Sequence, residues 1–116
     1  MHPIKLFSIL AISLFSFQLS SAQSAEKSDN IKVNGNCGMC KKNIEKSALA
    51  SGAILANWDK KTKFLQVSYD PAVTNSINIQ TAIATAGYDT RDVKASDIGY
   101  FKLEECCQYD RTQPAQ

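Results

Sequence analysis

The sequence predicts an α+β fold in the order βαββαβ, which closes as a four-stranded antiparallel sheet with two helices on one face. Two segments place apolar residues at helical spacing and each ends on a glycine, while short alternating segments flank them as strands. The chain has 116 residues, with one Trp, four Tyr and five Phe, which suits one small domain with one modest core.

The first residues stand apart from that domain. Lys5 is followed by the apolar run from Leu6 to Leu19, and Ser20-Ser21-Ala22 supplies the small residues a signal peptidase reads. Residues 1–22 are therefore expected to be a secretory signal peptide, with Gln23 as the new N-terminus and Ala25 as a second cleavage position. The apolar run is shorter than the ~20 residues that span a bilayer, so no stable membrane span is expected after cleavage. None of the cysteines lies at the cleavage site, which argues against a lipid-anchored N-terminus. The expected location is outside the cytoplasm, in a bacterial periplasm. Residues 23–29 are polar and read as a flexible leader.

Residues 30–34 alternate, with Ile31 and Val33 facing inward as a first strand. Gly35 breaks the alternation, and over residues 39–51 Cys40, Ile44, Ser47 and Ala48 fall on one side of a helix that Gly52 stops. Residues 53–58 read as a second strand, residues 59–62 as a turn, and residues 64–69 as a third strand with Leu65, Val67 and Tyr69 on one face. Residues 76–86 form the second helix, with Ile79, Ala82, Ile83 and Ala86 as its apolar stripe and Gly87 as its cap. Residues 92–95 are the expected fourth strand.

Chemistry concentrates at Gly35-Asn36-Cys37-Gly38-Met39-Cys40, where strand gives way to helix. Two thiols with two residues between them at a helix start can bind one soft ion, because sulfur favours Cu(I), Zn(II) and related thiophilic ions over hard cations. The unsatisfied amides and the dipole of the helix N-terminus also favour thiolate over thiol. The same spacing serves thiol–disulfide exchange, and it also serves an inert disulfide. No Trp precedes Cys37 and the element order is not that of thioredoxin, which count against the redox reading. The single histidine, His2, lies in the signal segment, so no imidazole is left for metal ligation or acid–base work. Two sulfurs alone under-ligate zinc, which wants four donors, and a low-coordinate ion such as Cu(I) is the natural guest.

Charge adds an exclusion. Loss of residues 1–22 removes only Lys5 of the 13 basic residues, leaving a near balance against 11 acidic ones. Lys41-Lys42 and Lys60-Lys61 are solvated pairs with no interleaved aromatics, so nucleic acid is not expected as a partner.

At these residues the chain resembles the heavy-metal-associated domain family, which includes small copper chaperones, copper-ATPase modules and the periplasmic mercury-binding protein. The resemblance runs over residues 30–95. It rests on Gly35-Asn36-Cys37-Gly38-Met39-Cys40, Ile44-Glu45-Lys46-Ser47-Ala48, Ser68-Tyr69-Asp70-Pro71 and Ala86-Gly87-Tyr88-Asp89. It implies a ferredoxin-like fold and a non-enzymatic protein. It also implies one soft ion held between Cys37 and Cys40, passed by ligand exchange to a protein partner, with Tyr88 in the loop beside the ion. Family loops usually read Gly-Met-Thr-Cys-x-x-Cys, whereas here Gly35-Asn36 directly precede Cys37 and Met39 lies between the cysteines.

Residues 96–116 extend past the family domain as a tail that carries Cys106 and Cys107, which are candidate additional ligands. Adjacent cysteines rarely bond to each other without strain, so each is expected to have a separate partner or to share the metal. An antiparallel fourth strand would leave the chain at the far end from Cys37, but an extended tail is long enough to return. The function expected from all of this is binding of a soft ion, Cu(I) first and Hg(II) or Zn(II) as alternatives, for buffering or transfer. The competing expectations are a thiol–disulfide oxidoreductase and a mercuric-ion scavenger.

Overall fold

In a computed structural model of the chain, residues 25–115 are described, and the expected signal peptide lies outside them. Among the described residues no helix is long and apolar enough to cross a membrane.

Strand β1 spans Lys27–Lys32, β2 Leu55–Trp58 and β3 Phe64–Tyr69, and β3 lies in the middle of an antiparallel sheet of order β1-β3-β2. The register sets Ile31 and Trp58 on either side of Leu65. Alternation along β3 buries Leu65, Val67 and Tyr69, while Phe64 stays half exposed. Helix α1, Gly38–Ala50, buries Cys40, Ile44 and Ala48; helix α2, Ser76–Thr85, buries Ile79, Gln80, Ile83 and Ala84. Cys40, Ile44, Ala48, Ile79 and Ile83 and the buried face of the sheet form one core with Trp58, Tyr88, Cys107 and Tyr109. Asn75 caps α2 by accepting the Asn78 amide at 2.9 Å.

Two expectations about the sheet are corrected. Strand β1 begins at Lys27, inside the segment read as a flexible leader, because Lys27, Ser28 and Asp29 pair with Tyr69, Ser68 and Val67. The fourth strand is absent among the described residues: residues 92–95 are not a strand, and the sheet has three strands rather than four. What remains is an isolated bridge between Val33 and Thr90, with the Asn34 amide donating to the Asp89 carbonyl and the Arg91 amide to the Lys32 carbonyl, both at 2.9 Å.

The buried side chain of Gln80 explains why the pairing stops there. Its Oε1 accepts the Asp92 amide at 2.7 Å and the Thr90 hydroxyl at 3.0 Å, and its Nε2 donates to the Asp92 carboxylate at 2.9 Å. The Thr90 amide in turn donates to the Val93 carbonyl. Donors and acceptors that would extend the ladder are thus taken by a side chain and a tight loop. The chain then enters helix α3, Asp97–Phe101, and a short 3-10 helix, Glu105–Cys107.

Candidate metal centre

Cys37 is the extended residue just before α1, and its carbonyl accepts the Lys41 amide at 3.0 Å. Its side chain is therefore held against the open amides of the first turn. Cys40, one turn on, points inward and is fully buried, whereas Cys37 is partly exposed. Gly35 lets Trp58 close over this turn, since a Cβ there would sit 3.0 Å from the Trp58 ring and 3.2 Å from Cys40 Cβ. The indole Nε1 donates to the Val33 carbonyl at 3.0 Å, which fixes the ring, and Trp58 is a packing residue.

The tail returns to this turn. Cys37 Sγ lies 3.4 Å from Cys40 Sγ, 3.7 Å from Cys107 Sγ and 3.8 Å from Cys106 Sγ. Cys37, Cys40 and Cys107 form a group whose sulfurs all lie within 4.8 Å of one another, so together they could hold a metal ion. Cys106 is exposed, stands 4.0 Å from Cys107 and does not join that group. All four cysteines are free thiols. Return is short because the missing fourth strand never carries the chain to the far end of the sheet.

Four elements of the tail pin it. The Tyr109 hydroxyl donates to the Gly87 carbonyl at 2.9 Å and accepts the Asp89 amide at 2.7 Å. The Tyr100 hydroxyl donates to the Tyr109 carbonyl at 2.6 Å, and the Asn34 side chain donates to the Gln113 carbonyl at 2.8 Å. Arg111 pairs with Asp89 and Asp97, and its guanidinium lies 4.9 Å over the Tyr100 ring. Tyr109 also stacks on Tyr88, with ring centroids 6.0 Å apart.

The thiols differ in acidity. The Cys40 backbone amide, with help from the Cys40 and Cys107 thiols and the Met39 amide, brings Cys37 down to about 7. Burial pushes the Cys107 thiol up, with Cys40 and Cys37 adding to the effect, and contact with Cys37 raises Cys106. Cys37 is thus the sulfur ready to attack or receive an ion, while Cys107 stays a protonated neighbour until something displaces its proton.

Tyr88 is fully buried, and its hydroxyl accepts the Asn43 side-chain amide at 3.0 Å. Burial raises it, with Cys107 and Cys40 adding to the effect, so it is a neutral lining group beside the sulfurs. Met39 is half exposed between the cysteines. Glu45 pairs with Lys41 at 2.6 Å and also accepts the Trp58 amide at 2.9 Å, tying α1 to β2. Tyr100, Tyr109 and Arg111 were not read as site-building from sequence. The only signal for them is the aromatic content of the tail, unusual for a linker.

No family model and no curated protein sequence matches the chain. Solved structures do match. Copper-bound CopA from Bacillus subtilis, in a single-substitution form, is 32% identical at a TM-score of 0.50, over 64% of this chain and 96% of that one. The chain belongs to the heavy-metal-associated domain family. CopZ metallochaperone is 26% identical at a TM-score of 0.53, over 55% of this chain and 98% of that one. Oxidized MerP from Ralstonia metallidurans CH34 is 25% identical at a TM-score of 0.54, over 57% and 94% respectively. The likeness is thus to metal-binding domains, CopZ being a metal carrier rather than an enzyme. These matches take in almost all of each neighbour and leave more than a third of this heavy-metal-associated protein unmatched.

Proposed function

We propose that this protein is a non-enzymatic, extracytoplasmic carrier that holds one soft ion, Cu(I) foremost, on Cys37 and Cys40 and buffers it or hands it to a protein partner. The observation that carries the reading is the gathering of the Cys37, Cys40 and Cys107 sulfurs within 4.8 Å of one another at the start of α1. Soft sulfur donors select thiophilic ions, and with no histidine past residue 2 the donor set is sulfur alone. Cys37, partly exposed and acidic, is suited to be the first ligand made and the first exchanged; buried Cys40 is the anchor. Hg(II) meets the same softness criterion and competes for the same pair. Location outside the cytoplasm rests on the signal-peptide pattern of residues 1–22.

The test is an anaerobic Cu(I) titration of the reduced protein against a competing chelator, beside Cys37→Ser plus Cys40→Ser. Tight one-to-one binding that the double variant abolishes supports the reading. Weak binding, or binding indifferent to those two residues, ends it. Thiol–disulfide exchange, which an acidic, accessible Cys37 could also serve, would instead show as Cys37-dependent turnover of a test disulfide.

A further inference from the structure

A Cu(I) carrier of the kind proposed above needs two sulfurs, and Cys107 is a third that the tail takes trouble to deliver. Its position is built: it is fully buried, ends the 3-10 turn Glu105–Cys107, and is backed by Tyr109 through the bonds to Gly87 and Asp89. Two features of this three-sulfur group bear on what it can hold.

The first is spacing. With metal–sulfur bonds of about 2.3 Å, a linear two-sulfur ion needs sulfurs about 4.6 Å apart, whereas a pyramidal ion with bond angles near a right angle needs them roughly 3.3–3.5 Å apart. Cys37 lies 3.4 Å from Cys40 and 3.7 Å from Cys107, both nearer the pyramidal spacing than the linear one, and the third pair of sulfurs lies within 4.8 Å.

The second is charge. Three thiolates around Cu(I) leave two net negative charges, around Hg(II) one, and around a trivalent ion none. Buried charge is costly unless paired, and the nearby cations are engaged elsewhere. Lys41 Nζ binds Glu45, Asn57 and the Trp58 carbonyl; Lys63 Nζ binds the Gly35 carbonyl over the Trp58 ring. The Tyr88 hydroxyl, held by the uncharged Asn43 side chain, adds no cation either.

We propose that Cys37, Cys40 and Cys107 form a site for a trivalent thiophilic hydroxide of the arsenite class, a capacity that rests on the metal-site reading above. Uptake is a condensation. Neutral arsenous acid meets three neutral thiols, three As–O and three S–H bonds break, three As–S bonds form, and three waters leave. Arsenic stays trivalent, no electron moves and the product is uncharged, so a fully buried thiol such as Cys107 can join without any counter-charge. Exposed Cys106 lies outside the three-sulfur group.

The experiment uses the reduced full chain, sodium arsenite under anaerobic conditions, and a parallel Cu(I) titration. Native mass spectrometry counts arsenic per chain, and alkylation followed by peptide mapping identifies protected cysteines in the unsubstituted protein. The expected result is one arsenic per chain, with Cys37, which reacts in the arsenite-free protein, now protected and Cys106 still labelled. Cys107→Ser should weaken arsenite binding by roughly a hundredfold, the loss of one chelating arm, whereas Cys106→Ser should leave it unchanged. Protection of the adjacent pair Cys106 and Cys107 with Cys37 still labelled overturns the proposal, as does arsenite binding unaffected in Cys107→Ser. Cu(I) binding without any arsenite binding overturns it too and leaves the carrier reading standing. Failure of both ligands on the reduced protein overturns both readings.

Discussion

Arg111 grips Asp89 with two nitrogens, Nε at 3.1 Å and Nη2 at 2.9 Å, across 22 residues of chain. The pair joins the tail to the loop after α2, which is the loop that carries Tyr88 to the sulfurs. Asp89 is nearly out of water and also accepts the Ala95 amide at 2.9 Å, while Arg111 donates to the Ala95 carbonyl at 2.7 Å. This one contact therefore fixes both the tail's entry into α3 and its exit past Cys107.

Arg111→Ala should destabilise the fold by about 3 kcal/mol, at the low end of the cost of breaking a buried pair because the guanidinium keeps some contact with water. Chemical denaturation measures this. The same variant should expose Cys107 to alkylation under native conditions, since its chain anchor is gone. A loss under about 0.5 kcal/mol, the ordinary range for a surface change, would mean that the aromatic contacts alone hold the tail.

Acid should act through Asp89. Burial would raise its carboxyl, but the Arg111 guanidinium and the Ala95 amide outweigh burial and hold it below its ordinary value. A carboxyl lowered on folding contributes stability above its unfolded value, about 3.9, and that contribution is lost as pH falls through the lower folded value. The denaturation midpoint of the native protein should thus fall as pH is taken below about 4. Asp89→Asn should start lower at neutral pH and show a shallower fall over the same window.

Most of the core was legible because periodicity reports burial. Cys40, Ile44 and Ala48 on α1, and Leu65, Val67 and Tyr69 on β3, were expected inside and are there. The turn carrying Cys37 and Cys40 was legible where strand alternation gives way to helical spacing. The fourth strand was misread because residues 92–95 have a strand-like alternation, and nothing local reveals that Gln80, a dozen positions earlier, binds the groups the ladder would need. Delivery of Cys107 was open from sequence for the same reason. It depends on Arg111 meeting Asp89 and Tyr109 meeting Gly87, pairings between distant residues that carry no periodic signal.

Alkylation should separate the thiols of the reduced, metal-free protein. Cys37, brought down to about 7 chiefly by the Cys40 amide, should react with iodoacetamide with a pH midpoint near that value, against about 8.5 for an ordinary cysteine. Buried Cys40 and Cys107 should lag far behind until denaturant is added. Peptide mapping after short exposures across pH 5–9 reads this directly, and a Cys37 midpoint at the ordinary value would remove the N-terminal amides of α1 as its cause.

Glycine substitutions at two positions should have opposite signs. Gly87 has φ +111°, and a Cβ there would lie 2.7 Å from the Gly99 carbonyl and 2.9 Å from the Leu103 side chain. Gly87→Ala therefore strains the backbone, at about 1 kcal/mol, and also pushes α3 off the end of α2, so a total loss of about 2–4 kcal/mol is expected. Hydrogen exchange should then rise across residues 97–109 more than in the sheet, because the tail is displaced while the core strands are untouched. Gly38 offers the contrast. It begins α1 with nothing within 4 Å of a Cβ, so Gly38→Ala gains helix propensity without a clash and should raise stability by up to about 1 kcal/mol. Equal and small effects at both positions would mean that α3 does not pack on Gly87, and that the tail reaches Cys37 by some route other than the close approach at that glycine.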